Sequence, residues 1–401
     1  MPEAVIVSTA RSPIGRAMKG SMTTIRPDDL AAQIVNAALA KIPALDRNLV
    51  EDLMMGCGQP AGESGVNIGR VVAVLADMGN VPGVTVNRYC SSSLQTIRMA
   101  GHAIKAGEGD IFIAAGVETV SRFINGMADS GPANTRFADA QARTQSRKAG
   151  EGGAWTPPSG LPDVYIEMLQ TAENVAESEN VSRTDMDAFA AQSQQRASES
   201  LENGYWEMEI TPVTLPDGTV VSTDDGIRPG TTAEGLSQLK PVAKPDGTVT
   251  AGNACPLNDG AAAVVVMSDT KAKELGLTPL ARIVSSGVSG LNPEIMGLGP
   301  IEACRQAMGR ANMTIDDIDL VEINEAFAAQ VIPSATHLGI SWDKLNTRGG
   351  AIAIGHPFGM TGARIMTTLI HNLQASDKQF GMESMCVGGG QGMAMIIERL
   401  S

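Results

Sequence analysis

The chain has 401 residues, 43% of them hydrophobic, with 44 glycines and only 3% aromatics, which is enough apolar material for a large core spread over two or three domains. A formal net charge of −14 excludes a nucleic-acid surface, because binding phosphates at scale needs a basic excess; a phosphorylated small molecule is still open wherever basic residues cluster locally. Five scattered cysteines form no C-x-x-C pair and no zinc spacing, and their odd number suits a reducing compartment better than a disulfide framework.

The chain opens on Ala4-Val5-Ile6-Val7, a predicted strand that leaves no room for a signal peptide. No apolar run approaches membrane-spanning length and the last three residues are not a peroxisomal tripeptide, so the expectation is a soluble cytoplasmic protein. Helical spacing follows over 30–39, and short apolar strands over 52–55, 84–86 and 111–115. Val84-Thr85-Val86 reads as a buried strand, and Leu94, Ile97, Gly101 and Ile104 open a helix that Gly107 stops. Cys90 lies between the two, at a strand-to-helix turn where serines 91–93 offer N-cap chemistry. The helix dipole and free N–H groups there favour thiolate, the form that attacks carbonyl carbon. A cysteine taken alone is more often a small buried hydrophobe, so its company decides.

From about 118 to 250 the sequence turns polar and Pro-Gly rich, with one clear helix over 183–201 and turns such as Pro216-Asp217-Gly218 and Pro245-Asp246-Gly247 that also fit plain hairpins. Such an insertion on a rigid scaffold is a common place for substrate binding. Beyond it the opening order recurs: 282–285 echoes 5–8, 318–321 echoes 50–54, and 385–388 echoes 111–116 as a strand running into glycine. Two copies of one α/β unit packed back to back would bury a central layer of helices.

Three late segments carry candidate chemistry. Val321-Glu322-Ile323-Asn324-Glu325 runs from strand to helix start; Gly355-His356-Pro357 sets one of only four histidines in a glycine-flanked turn; Cys386 stands just before Gly388-Gly389-Gly390. Singly, these read as a cap, a core imidazole and a strand-end hydrophobe. Together with Cys90 they supply an attacking thiolate, an imidazole to take its proton, a second thiol to move a proton at an activated α-carbon, and N–H donors for developing negative oxygen. No metal ligand set or phosphate-cradling loop competes.

The stretches V-N-R-Y-C-S-S-S-L at 86–94, T-A-G-N-A at 250–254 with N-D-G-A-A-A at 258–263, N-E-A-F-A-A at 324–329, G-G-A-I-A-I-G-H-P at 349–357 with G-A-R at 362–364, and M-C-V-G-G-G at 385–390 resemble, in order, those of the thiolase family. The resemblance implies an α/β thiolase fold of two similar halves in αβαβα layers: residues 1–117 with 251–271 as the first half, 118–250 as an inserted, CoA-binding loop domain, and 272–401 as the second half. It implies Cys90 as the acylated nucleophile, His356 as its activator, Cys386 as general acid and base, and Asn324 as holder of a water. His356 with that water would form one oxyanion hole, and the N–H groups of Cys90 and Gly388 the other. Arg228 would lie near the CoA 3′-phosphate, Cys255 along the pantetheine arm, and Met168 and Met296 around the acyl group. CoA would be a substrate, with no permanently bound cofactor or metal, and the assembly a homodimer or homotetramer.

Three positions depart from the family's pattern: Ser93 for glycine, Cys255-Pro256 for Ser-Gly, and Glu167 for the histidine of acetoacetyl-specific members. Ser93 could narrow the acyl pocket, and Glu167 argues for a 3-ketoacyl-CoA thiolase over an acetoacetyl-CoA thiolase. A non-catalytic acyl-CoA carrier would not need Cys90, Asn324, His356 and Cys386 together, and a condensing synthase would pair its nucleophile with two histidines, or with a histidine and an asparagine.

Overall fold

The computed structural model describes residues 2–123, 131–151 and 153–401. Its strands, in chain order, are β1 (Ala4–Arg11), β2 (Gly15–Arg16), β3 (Asp52–Gly56), β4 (Gly83–Val86), β5 (Ile111–Thr119), β6 (Val213–Thr214), β7 (Val220–Val221), β8 (Asn258–Ser268), β9 (Ala281–Gly290), β10 (Leu320–Ile323), β11 (Phe380–Val387) and β12 (Gln391–Arg399). All the long strands join in the order β10-β11-β12-β9-β1-β8-β5-β3-β4, with β2 on the end of β8. The strands expected over 4–7, 52–55 and 111–115 are there, each running past its predicted end. β5 and β8 are buried along their whole length, as near-continuous apolar runs covered on both faces must be. β4 is only half-buried, against expectation, because it is the edge of the sheet and has a neighbour on one side alone.

The duplicated order is visible in the pairing. β3 runs parallel to β5, and β5–β8 and β8–β1 are antiparallel. In the second half β10 runs parallel to β11, and β11–β12 and β12–β9 are antiparallel. The counterpart of β4 shrinks to a single bridge between Val321 and Leu345. The halves meet where β1 and β9 pair at Val5 with Arg282 and Ile6 with Ala281.

Alternation along β1 explains the layers. Val5 and Val7 face an outer cluster with Leu30, Ile34 and Val72 from the helices Pro27–Ala40 and Ile68–Leu75. Ala4 and Ile6 face inward, onto a cluster that also holds Leu94 and Ile97 of the helix Ser92–Ala106, Ile365 and Leu369 of the helix Thr361–Ala375, and Met385 and Met395 of the second half. A third cluster packs Ala303, Ala307 and Val331 of the helices Gly299–Ala311 and Ala328–Leu338 on the far face, completing αβαβα. The two central helices touch at backbone distance: a Cβ on Gly362 would lie 2.3 Å from the Leu94 nitrogen, so only glycine fits.

The helix expected over 183–201 forms as Arg183–Glu202, capped where Ser182 Oγ accepts from the Asp185 N–H. The insertion holds more helix than expected, including Ala138–Lys148 and Met168–Ser178. Ala138–Lys148 buries only Ala140 and Thr144, so it has no apolar stripe to read. Both Pro-Asp-Gly sites are plain turns, one of them joining β6 to β7. Arg11 fastens the insertion to β1 through buried pairs with Glu209 and Asp224, each at 2.7 Å. No helix among the described residues is long and apolar enough to cross a membrane.

Candidate active site

Cys90 lies in a one-turn 3₁₀ segment, Tyr89–Ser91, between β4 and the helix Ser92–Ala106. Tyr89 takes a left-handed φ of 42°, a strained conformation for an aromatic residue that turns the chain sharply just before the cysteine. The serines do not cap the helix as expected. Ser91 Oγ donates to the Arg88 carbonyl at 3.2 Å and Ser92 Oγ to the Tyr89 carbonyl at 2.7 Å, so both hydroxyls brace the turn instead. Ser93 does not narrow an acyl pocket either: its buried Oγ accepts from the Ala363 N–H at 2.9 Å, in the first turn of the helix Thr361–Ala375.

The expected thiolate is also corrected. Burial pushes the Cys90 thiol up to about 11, and this outweighs the N–H groups of Gly388 and of Cys90 itself, which bond to the sulfur and pull the other way. The nearby Glu118 carboxyl adds to the rise. A helix start cannot hold an anion that the surrounding apolar packing has stripped of water.

His356 is equally buried, and burial with the Arg364 charge pushes its imidazole down to about 3, so the ring is neutral. Three neighbours fix its orientation. Its backbone N–H donates to Asn258 Oδ1 at 2.9 Å, its Nδ1 lies 2.6 Å from Thr361 Oγ1, and Asn324 Nδ2 lies 3.3 Å from Nε2. Thr361 Oγ1 donates its one hydrogen to the Pro357 carbonyl at 2.8 Å. It therefore accepts from His356, which assigns the ring proton to Nδ1 and leaves a lone pair on Nε2. Gly355, with φ of 110°, makes this fit, since a Cβ there would lie 2.7 Å from the Asn258 amide.

Asn324 follows β10 and is pinned by its own N–H donating to the Ser384 carbonyl at 2.9 Å; its buried Oδ1 has no protein partner. Cys386 is the penultimate residue of β11, two residues before the glycine turn at 388–390, and Cys255 lies against the link after β10 through its N–H to the Ala326 carbonyl at 3.0 Å. The three thiols Cys90, Cys255 and Cys386 sense one another's charge, and burial raises all of them. With its proton on Nδ1, His356 accepts from Asn324 Nδ2 at Nε2, and neutral thiols together with a neutral imidazole can pass protons without a standing charge.

Two cavities flank this centre. One, of about 580 Å³, is walled by Cys90, Tyr89, Met168, Phe358 and Gly388. The other, of about 470 Å³, runs from Cys255 past Leu169 to Arg16, Lys19 and Arg228. Arg228 and Cys255 thus share a groove, and Met168 lies in the opposite cavity; Met296 is buried in the third core cluster and lines neither. No group of metal-ligating side chains is found among the described residues.

Sequence reading passed over Thr361, Asn258, Arg16, Lys19 and Glu118. Glu118, the penultimate residue of β5, accepts from the N–H groups of Gly58 at 2.7 Å, Gln59 at 3.2 Å and Gly359 at 2.8 Å, tying one wall of the larger cavity to the loop after His356. Burial pushes its carboxyl up to about 7. A lone charged residue near the end of an otherwise apolar strand was the available signal.

Residues 4–270 match the thiolase N-terminal domain and residues 277–399 the thiolase C-terminal domain. A 3-ketoacyl-CoA thiolase of Bacillus subtilis is 43% identical over 99% of this chain and 100% of its own, and a beta-ketoadipyl-CoA thiolase of Acinetobacter baylyi is 43% identical over 100% of both. Among solved structures, the dimeric peroxisomal thiolase of Saccharomyces cerevisiae superposes with a TM-score of 0.89 at 35% identity, over 99% of this chain and 97% of that one. The acetyl-CoA acetyltransferase of Bacillus anthracis superposes at 0.87 with 36% identity, over 100% and 99%. With both domains matched, relatives of this identity over the full length and the five-layer fold in common, the chain belongs to the thiolase family and is an acyltransferase of that type.

Proposed function

We propose that this protein is a 3-ketoacyl-CoA thiolase, cleaving 3-ketoacyl-CoA with CoA to acetyl-CoA and a shortened acyl-CoA. The observation that carries the reading is that Cys90 opens onto a cavity large enough for an acyl chain, while Cys255, a thiol close enough to sense its charge, lines a second cavity that ends in three cations suited to the phosphates of CoA. The net charge of −14 makes that local cluster the more telling. A cavity of about 580 Å³ exceeds what an acetyl group needs, which weighs against the alternative of an acetoacetyl-CoA thiolase working by Claisen condensation.

In the proposed cycle the Cys90 thiol is neutral at rest and loses its proton to His356 Nε2 as the sulfur attacks the 3-keto carbon. The C2–C3 bond then breaks, and Cys386 protonates C2 of the departing acetyl-CoA enolate. The Cys386 thiolate takes the proton of incoming CoA, whose sulfur displaces the acyl group from Cys90, and the imidazolium returns its proton to the Cys90 sulfur. The Gly388 and Cys90 N–H groups, already directed at the sulfur, would hold the oxyanion formed on the attacked keto carbon. The unpartnered Asn324 Oδ1 supports a bound water that, with His356, would hold the enolate oxygen of the departing acetyl-CoA. We assign the insertion over 118–250 to CoA binding through Arg228, and homodimer or homotetramer assembly to the open edge at β4, in keeping with a dimeric structural relative and a cytoplasmic enzyme with bacterial relatives.

Cys90→Ser is expected to abolish the acyl-enzyme, read as the mass added to the 90-containing peptide after exposure to a 3-ketoacyl-CoA without CoA. Wild-type levels of attached acyl group in the variant would refute the assignment of Cys90.

A further inference from the structure

The acyl cavity carries information about what it accepts. Its walls are apolar on most sides, from Pro60, Tyr89, Val164, Ile166, Met168 and Phe358, with Gln59 and Asn87 as neutral polar groups. The single charged side chain in the wall is Glu167, an acid. Its two oxygens are each 2.7 Å from Lys148 Nζ, so the ammonium that could meet a substrate anion is already paired and is not itself part of the wall. The residues outside the described ones include no lysine or arginine that could supply the missing cation.

We propose that this cavity selects a neutral, apolar 3-ketoacyl tail and rejects one that ends in a carboxylate. The inference rests on the thiolase reading above and deepens it. An ω-carboxylate entering the cavity would leave water for apolar walls, and the one charged side chain in the wall is an acid whose partner Lys148 is already engaged, so no free cation of this chain offsets the loss. Amide groups such as Gln59 and Asn87 bond an anion without neutralising it. An alkyl tail meets none of these costs and gains from burial, by roughly a factor of four for each added methylene. Relatives named for 3-ketoacyl-CoA and for beta-ketoadipyl-CoA are each 43% identical to this chain, so overall similarity does not choose between the two tails.

The test compares kcat/KM for thiolysis of 3-ketohexanoyl-CoA and 3-ketoadipyl-CoA, which have the same six-carbon length and differ by the terminal carboxylate. The wild-type protein is expected to favour the neutral substrate at least tenfold. Glu167→Lys, which replaces the rim acid with a second cation beside Lys148, is expected to narrow that ratio at least threefold, by gaining on the adipyl substrate. Equal or preferred cleavage of 3-ketoadipyl-CoA by the wild-type protein would overturn the substrate class and leave the thiolase reading intact. A ratio unmoved by Glu167→Lys would overturn its electrostatic basis. Failure to cleave either substrate would overturn the thiolase reading itself, and the substrate class with it.

Discussion

The resting state of Cys90 can be tested by changing pH alone. With the thiol pushed up to about 11, roughly one molecule in a thousand carries thiolate at pH 8. The imidazole of His356, pushed down to about 3, is too weak a base to draw the proton off a thiol pushed up to about 11 beforehand, so both groups rest neutral. Only the thiolate is alkylated, so the rate of Cys90 modification by iodoacetamide should rise about tenfold per pH unit from 7 to 10 and level off near 11. The readout is the mass of the 90-containing peptide after short pulses in the absence of any acyl-CoA, which separates it from Cys255 and Cys386. An alkylation rate that is flat from pH 6 to 8 would mean a standing thiolate–imidazolium pair, and the reasoning from burial would fall.

Thr361 is a positioning residue whose hydroxyl assigns the His356 tautomer. Thr361→Val should lower kcat ten- to a hundredfold with little change in KM, while Thr361→Ser should restore most of the activity; equal kinetics for valine and threonine would remove the hydroxyl from the mechanism. Stability should also fall as pH rises from 6.5 to 8. Glu118 and Glu322, pushed up to about 7 and about 8 by burial, hold protons in the folded chain that the unfolded chain has released above the usual 4.5, so folding binds protons and loses favour with rising pH. The neutral His356 acts oppositely, but mostly below 6.5, and offsets only a small part of the loss within this window. Glu322 alone accounts for about 2 kcal/mol over 1.5 units, and a urea midpoint at fixed protein concentration that is higher at pH 8 than at 6.5 would contradict it.

What the sequence made legible was whatever a local pattern carries. The strand at 4–7, the helices at 30–39 and 94–105 and the duplicated order are each read from neighbours a few residues apart, and each appears in the structure. The ionisation of Cys90 was not legible in this way, because it depends on burial and on groups distant in sequence, Glu118 of β5 and Gly388 after β11. Thr361 passed unnoticed since a threonine five residues after a histidine looks like any helix start until Pro357 folds back to take its hydrogen. Ser93 misled for the opposite reason: it sits near Cys90 in sequence, yet its side chain belongs to the packing against residue 363.

The matched halves also bear on how such a site could arise. Cys90 occupies the link entering one central helix, and His356 the link entering the other. Glu118 lies two residues beyond the last β3–β5 pairing, Gly56 with Gly116, and Cys386 two beyond the last β10–β11 pairing, Ile323 with Ser384. An ancestral pair of identical half-chains would have offered each of these stations twice, with the same residue at both. Once the halves were fused in one polypeptide, each station could change without its twin, so that one copy came to carry sulfur where the other carries an imidazole, and a carboxyl where the other carries a thiol. The chemistry depends on that divergence, and neither half could have acquired it while remaining a copy of the other.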